Sequence, residues 1–523
     1  MTTLKRDEKT PARQALQTFL AFVLLFLLYA IAVQVTEIDL EKMRSENRQT
    51  QLVGVLRFLA DPDITNPDII DPLFVPESES FSLTETTVNT LNLIMETIFM
   101  ALLATTIGTI LAVPVSFLAA RNLMLEVTSP LASFMLALAL LPVGGGLAWL
   151  GAREMVALAA TFSAQPALTL GIFVATLALG WAVVRFGPPL VTTTRRDSRG
   201  TAVAIAELVF LVLLALFALA QLAALSQVSG LWLADQLDAA AFNVGLFSIN
   251  FSFVGNFFKV MGDLISLALP AVTALLGAMI AMLLGSRYGQ EAILRLTGTP
   301  ARLVTAVFTF LGTAVFIFGS GTILNWLYQF DSPANWTTIP ALAGGGILAV
   351  GSLLLAPKRP FRIGFGLYTI ARAIFNTLRS IEPLIMAIIF VVWVGLGPFA
   401  GVMALTLHTI AALGKLFSEQ IEGIDDGPIE AINATGASRL QMIVFAVIPQ
   451  IIPPYIAYTL YRWDINVRMS TIIGFVGGGG IGFLLSQSVR LLRYREASVM
   501  MLAIAIVVSL LDYLSANVRR RVI

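Results

Sequence analysis

The chain has no cysteine and a single histidine, His408. Disulfides and thiolate metal sites are therefore excluded, and one imidazole argues against a histidine-built metal centre. Charge is scarce as well: 12% of the 523 residues are Asp, Glu, Lys or Arg, against roughly 25% in a soluble globular domain. No G-x-x-x-x-G-K-[ST] phosphate loop occurs, so any ATP hydrolysis that drives this chain belongs to another subunit. A net charge of +1 says little about partners, and nothing points to nucleic acid.

What the chain does have is apolar length. Hydrophobic residues make up 57%, and runs long enough for the ~20 residues of a spanning helix lie near 15–35, 91–119, 130–150, 155–184, 202–226, 262–285, 302–328, 338–356, 371–396, 398–416, 453–474 and 497–516. The expected fold is an all-α polytopic membrane protein with about twelve spans. Lys5, Arg6, Lys9 and Arg13 before the first span, and Arg519, Arg520 and Arg521 after the last, predict both termini on the cytoplasmic side. Arg121, Arg195, Arg196, Arg199, Lys358, Arg359 and Arg362 fall in loops on that same side. The first span lacks a small-residue cleavage site before Glu37-Ile38-Asp39 and is read as a retained anchor.

Residues 36–90 read as a polar external loop, with helix-breaking Asp61-Pro62, Asn66-Pro67 and Asp71-Pro72. The stretch 231–258 reads as an external interfacial segment. A tandem duplication is not supported: Glu291-Ala292-Ile293 echoes a later motif, but Gly298 is one residue too distant and Leu311 stands where a proline is needed.

That later motif lies in a loop at 418–449. Asp425 can cap a helix, Pro428 is tolerated in its first turn, and Glu430 then sits where the helix dipole favours a carboxylate. Gly436 is placed to end this helix in the left-handed conformation, and Ser438 with Gln441 forms a capping box for a second one. The spacing predicts a helix, a glycine elbow and a helix on the cytoplasmic face.

The following span, PPYIAYTLYRWDINVRMSTIIGF, carries charge in its middle. Arg462 lies about 12 Å and Arg468 about 21 Å along from Pro454, where each charge costs about 2.5–3.5 kcal/mol unless it faces protein or water. Asp464 and Arg468 can pair at a four-residue spacing, and Arg462 can approach Asn466 likewise, which leaves Arg462 uncompensated. Either this network fixes helix packing, or it forms a path for an anion, since guanidinium suits phosphorus oxyanions bidentately. Gly477, Gly478, Gly479 and Gly480 cannot form a lipid-facing helix and are read as a close-packed turn beside an external gate. Arg490, Arg493 and Arg495 then lie outside against the usual bias, so they meet acidic partners, attract an anionic solute, or mark an error in the topology. His408, Glu96 and Glu382 are read as packing or interface groups, and Lys415 with Glu419 as framing the loop.

The stretch from Glu430 to Pro449, EAINATGASRLQMIVFAVIP, resembles the ATPase-coupling loop of ABC importer permeases. Glu430, Ala431, Gly436 and Pro449 fall at the family spacing, and Ile432, Ala446 and Ile448 depart from it conservatively. Residues 376–425, 430–450 and 458–482 narrow the resemblance to the phosphonate-type permease family, with weaker matches at 36–43 and 96–122. That resemblance implies a type I permease core in a bacterial inner membrane, importing a phosphonate or related phosphorus oxyanion. Phosphite, hypophosphite or a phosphate ester is the alternative cargo, and a non-transporting membrane sensor the alternative of another class. It also implies a second permease copy in a homodimer, two ATPase subunits that bind ATP and Mg, and an extracytoplasmic substrate-binding protein. No cofactor or metal is expected in this chain itself. Family members are about half this length, so the expected organisation is a permease part at 1–124, inserted membrane helices at 125–360, and the permease core at 361–523.

Overall fold

A computed structural model of the chain describes residues 11–36, 44–66, 82–125, 127–163, 165–186, 198–238, 242–244, 247–249 and 252–522. Lys5, Arg6, Lys9, Arg195, Arg196 and most of the 36–43 match lie outside them. The fold is all-α, with three two-stranded ribbons as its only sheet structure among the described residues. Among the described residues eleven helices are long and apolar enough to cross a membrane, or twelve if one bent pair counts as a span. The chain is a polytopic membrane protein.

Two compact units divide the helices. The first takes in the described residues of Met1–Met124 and Gly366–Ile523, the second those of Leu125–Phe365. In the first unit the helices are α1 (Pro11–Val35), α2 (Glu46–Ala60) and α3 (Glu85–Leu118). In the second they are α4 (Leu131–Phe162), α5 (Pro166–Phe186), α6 (Ser198–Asp238), α7 (Ser252–Arg295), α8 (Thr299–Tyr328) and α9 (Thr338–Leu353). The chain then runs through α10 (Ile363–Ser380) back into the first unit, with α11 (Pro383–Val394), α12 (Pro398–Glu422), α13 (Asp426–Ala434), α14 (Ile448–Gly474), α15 (Ile481–Arg490) and α16 (Tyr494–Val522).

The second unit is built on small residues. Gly277, Ala281, Gly285 and Gly289 recur every four positions along α7 and so form one stripe. A Cβ on Gly285 would lie 2.8 Å from the Ala137 backbone, and one on Gly289 would lie 2.7 Å from that of Ser133, both on α4. Close approach through such stripes is how helices associate where lipid removes the hydrophobic drive. The unit's two ends meet: Ser129-Pro130 pairs antiparallel with Pro360-Phe361, and the Gly364 N–H donates to the Val127 carbonyl at 3.1 Å. The described part of the stretch read as an interfacial segment, 231–258, is the end of α6, the ribbon Phe242–Val244 with Phe247–Ile249, and the start of a 44-residue α7.

In the first unit α3, α12 and α14 share a core. Phe417 and Tyr455 stack with ring centroids 3.8 Å apart, packed with Ala112, Leu413, Ile421 and Ile451. One expectation fails here. The span read at 371–396 is not straight: α10 and α11 meet at an 89° bend. Glu382 precedes Pro383 and is held extended at φ −61°, ψ 139°, because a proline disfavours the helical conformation in the residue before it. On α10, Leu367, Ile370, Ile374 and Leu378 make one apolar stripe, with Arg372, Asn376 and Arg379 opposite. The twelve residues of α11 reach only about 18 Å.

Candidate functional site

The loop after α12 folds as a capped elbow. Asp425 is the N-cap of α13, and its Oδ1 accepts from the Gly427 N–H at 3.1 Å. The helix ends at Ala434, and Gly436 takes φ +78°, the left-handed turn that a Cβ resists. The Ser438 N–H donates to Gln441 Oε1 at 2.8 Å, and the Gln441 N–H donates back to Ser438 Oγ at 3.4 Å. Glu430, Ala431 and Gly436 are exposed on this elbow, and Pro449 lies in the first turn of α14. Gln450 ties the elbow's start to α14. Its Oε1 accepts from the Asp425 N–H at 2.8 Å, and its Nε2 donates to the carbonyls of Asp425, at 3.3 Å, and Ala446, at 2.9 Å.

Beside the elbow, one carboxylate draws three helices together. Glu422 Oε1 accepts from the Arg121 N–H at 2.6 Å and from Arg372 Nη2 at 2.7 Å, while Arg372 Nε donates to the Ala119 carbonyl at 3.0 Å. Glu419 stands 3.5 Å from Arg372 and 3.8 Å from Lys415. The end of α3, the middle of α10 and the end of α12 therefore meet in one charged cluster.

On α14 the four polar residues at its centre divide between opposite faces, because two residues turn an α-helix by about 200°. Asp464, buried, pairs with Arg468, and Arg468 also lies 3.5 Å from Asp512 of α16. On the other face Asn466 is fully buried and donates to Thr105 Oγ1 at 2.8 Å and Thr409 Oγ1 at 2.9 Å. The expected approach of Arg462 to Asn466 does not form: the Asn466 amide nitrogen donates to α3 and α12, and its Oδ1 is left without a hydrogen-bond partner. Arg462 is 8% exposed, and neither its Nε nor its Nη2 has a hydrogen-bond partner.

The glycine run closes against two other segments. The Gly480 N–H donates to Glu96 Oε1 at 2.8 Å, the Ile481 N–H to Thr97 Oγ1 at 2.9 Å, and the Gly397 N–H to the Gly477 carbonyl at 2.9 Å. Gly477, Gly479 and Gly480 all have positive φ, and a Cβ on Gly479 would lie 2.6 Å from the Pro398 nitrogen. Gly478 packs against Gly401 and Ile473. Of the arginines read as external, Arg495 pairs with Asp61 at 3.1 Å and Arg493 with Glu496 at 3.4 Å, while Arg490 ends α15 exposed. Among the described residues no group of three or more His, Asp or Glu side chains could hold a metal.

Residues 344–522 match the family of binding-protein-dependent transport system inner membrane components. Over 189 residues the chain is 42% identical to the phosphite transport system permease protein PtxC of Stutzerimonas stutzeri, covering 35% of this chain and 68% of that one. It is 45% identical over 121 residues to the putative cryptic phosphonate transport system permease protein PhnE2 of Escherichia coli, covering 23% and 99%. It is 40% identical over 157 residues to the phosphate-import permease protein PhnE of Mycolicibacterium smegmatis, covering 30% of each. The chain belongs to the phosphonate-type ABC permease family.

It is thus a multi-pass inner-membrane transport permease. Several residues of this permease escaped sequence reasoning. Gln450 follows the motif proline directly, but its partner is 25 residues upstream. Arg372 and Glu422 are 50 residues apart, and Glu96 meets Gly480 across 384. Nothing in local spacing marks such pairs; the sequence reads Glu96 as a packing or interface group without disclosing its partner in the glycine run.

Proposed function

We propose that the chain is the permease subunit of an ATP-driven importer for phosphonate or a related phosphorus oxyanion. The observation that carries this is the set of relatives, which are named for phosphite, phosphonate and phosphate transport. On this reading two copies form the pore, each docks one of two ATPase subunits that bind ATP and Mg, and an extracytoplasmic binding protein delivers the anion. Both termini lie in the cytoplasm, and this chain itself binds no cofactor.

The elbow is the coupling element. Glu430, Ala431 and Gly436 are exposed without bulk around them, as insertion into an ATPase cleft requires, and Pro449 and Gln450 make α14 follow the elbow's motion. The Glu422–Arg372 cluster carries the same displacement to α3 and α10. Glu96 and the run Gly477, Gly478, Gly479 and Gly480 act as the external gate. Within α14, Arg462 is the contact for the anion. Arg468 is neutralised by Asp464 and Asp512, and Asn466 is committed to packing, so both leave the substrate path.

Growth of the source organism with and without this gene on phosphonate, phosphite or phosphate as sole phosphorus source tests the reading. A defect confined to phosphonate or phosphite supports it and fixes the cargo. Equal growth of both strains on all three overturns it.

A further inference from the structure

Buried side-chain polar atoms without a hydrogen-bond partner are few in native proteins. Here twelve occur among the described residues, and seven of them lie on α12 and α14 of the permease core. Two of the groups share one locality. Arg462 leaves Nε and Nη2 unsatisfied, and His408 of α12 leaves Nδ1 unsatisfied, each residue being 8% exposed. The His408 ring meets the Ile381 carbonyl, at the bend between α10 and α11, and stands within electrostatic reach of Arg462 and Arg379. No carboxylate is among the groups that act on Arg462 or His408; the acidic pair Asp464 and Asp512 lies on the opposite face of α14, with Arg468.

A guanidinium keeps its charge in proteins, and burying it unpaired inside a membrane protein is among the most expensive arrangements a sequence can specify. Packing does not need it. Asn466, one turn away on the same face, already joins α14 to α3 and α12, so an apolar side chain at 462 would serve the fold better. Stored cost of this kind marks functional positions.

We infer that Arg462 and His408 form a closed intramembrane binding site for one tetrahedral oxyanion, with the α10–α11 bend as its third wall. The forked guanidinium presents two free N–H directions, the arrangement that binds phosphorus oxyanions bidentately, and the imidazole Nδ1 on a different helix, a lone-pair acceptor because the ring N–H is given to the Ile381 carbonyl, takes the O–H of a singly protonated oxyanion. The bend supplies the movable side: α11 is short and joined through a non-helical residue at Glu382, so a rotation of α11 opens the site without breaking α12 or α14. His408 thereby becomes a binding residue rather than a packing one. The import reading above is used only to choose the anion.

The test uses the full chain in lipid nanodiscs, with phosphite and methylphosphonate as probes, read by equilibrium binding and by unfolding temperature. The wild type is expected to bind at least one probe saturably and to unfold at higher temperature in its presence. Arg462→Met is expected to weaken binding at least tenfold and, without anion, to unfold above the wild type, since it removes an unpaired buried charge. His408→Phe is expected to weaken binding at least threefold, and Arg153→Gln, on α4 of the other unit, to change nothing. Wild-type affinity in Arg462→Met, an unfolding temperature for it below the wild type, or no binding of either probe by the wild type would each overturn the site. If cells import a probe that the wild-type chain does not bind, the site fails and the import reading stands. If the chain binds a probe that cells with the gene do not import, the site stands and the import reading fails.

Discussion

At the scale of the residue, the core of the permease depends on a few polar contacts between helices distant in sequence. Asn466→Leu removes both bonds from α14 to Thr105 and Thr409. Interhelical hydrogen bonds in membranes are worth about 0.6 kcal/mol on average and about 1.7 at most, so a loss of that size is expected in thermal unfolding of the purified chain. A stability equal to the wild type would show that the amide is not a packing bond. Arg468→Leu is a harsher change, because it leaves Asp464 buried without its partner. Breaking such a pair costs about 3–5 kcal/mol; the lower end applies, since Arg468 is half exposed. The double replacement of Asp464 and Arg468 by Leu is expected to recover most of the loss, measured the same way. Sequence spacing disclosed the Asp464–Arg468 pair because both partners sit on one helix. It failed for Arg462 and Asn466, whose surroundings depend on which helices become neighbours.

At the scale of the element, two glycines of positive φ separate conformational strain from steric exclusion. Gly436 has nothing within 4 Å of a built Cβ, so Gly436→Ala costs only the left-handed backbone penalty of about 1–2 kcal/mol, confined to the elbow. Gly479→Ala meets the Pro398 backbone as well and is expected to cost far more, seen as a collapse in the yield of monodisperse protein. Similar yields from the two variants would contradict the close packing of the glycine run. Gly436→Ala is further expected to reduce copurification of the ATPase, by tilting α13 away from its cleft. The first helix and the turn of the elbow were legible from sequence, since the cap at Asp425, the turn at Gly436 and the box of Ser438 with Gln441 are local interactions; the expected second helix is only Arg439–Met442, which a wider-wound turn at Ile443–Val447 joins to α14. The 89° bend between α10 and α11 was not. An apolar run records length and says nothing of direction; Pro383 and the opposed stripe of Arg372, Asn376 and Arg379 were the overlooked signs.

At the scale of the whole molecule, the second compact unit enters and leaves its own helices at one point, with Val127 and Gly364 joined by a hydrogen bond. Adjacent ends are the property that lets a unit be inserted or removed without tearing its host. Joining Met124 to Gly366 through a short flexible linker is therefore expected to give a chain that still enters the membrane and purifies as a monodisperse species. Aggregation of that chain would show that the first unit needs the second to fold. The central claim concerns the intact molecule, that it moves a phosphorus oxyanion inward at the expense of ATP. The most direct measurement is the initial rate of labelled phosphite and methylphosphonate uptake by cells holding this chain, its ATPase and its binding protein, compared with cells lacking only this chain. Uptake that stops without the chain, and collapses when cellular ATP is depleted, is the expected result; uptake at the same rate in both strains would contradict the account.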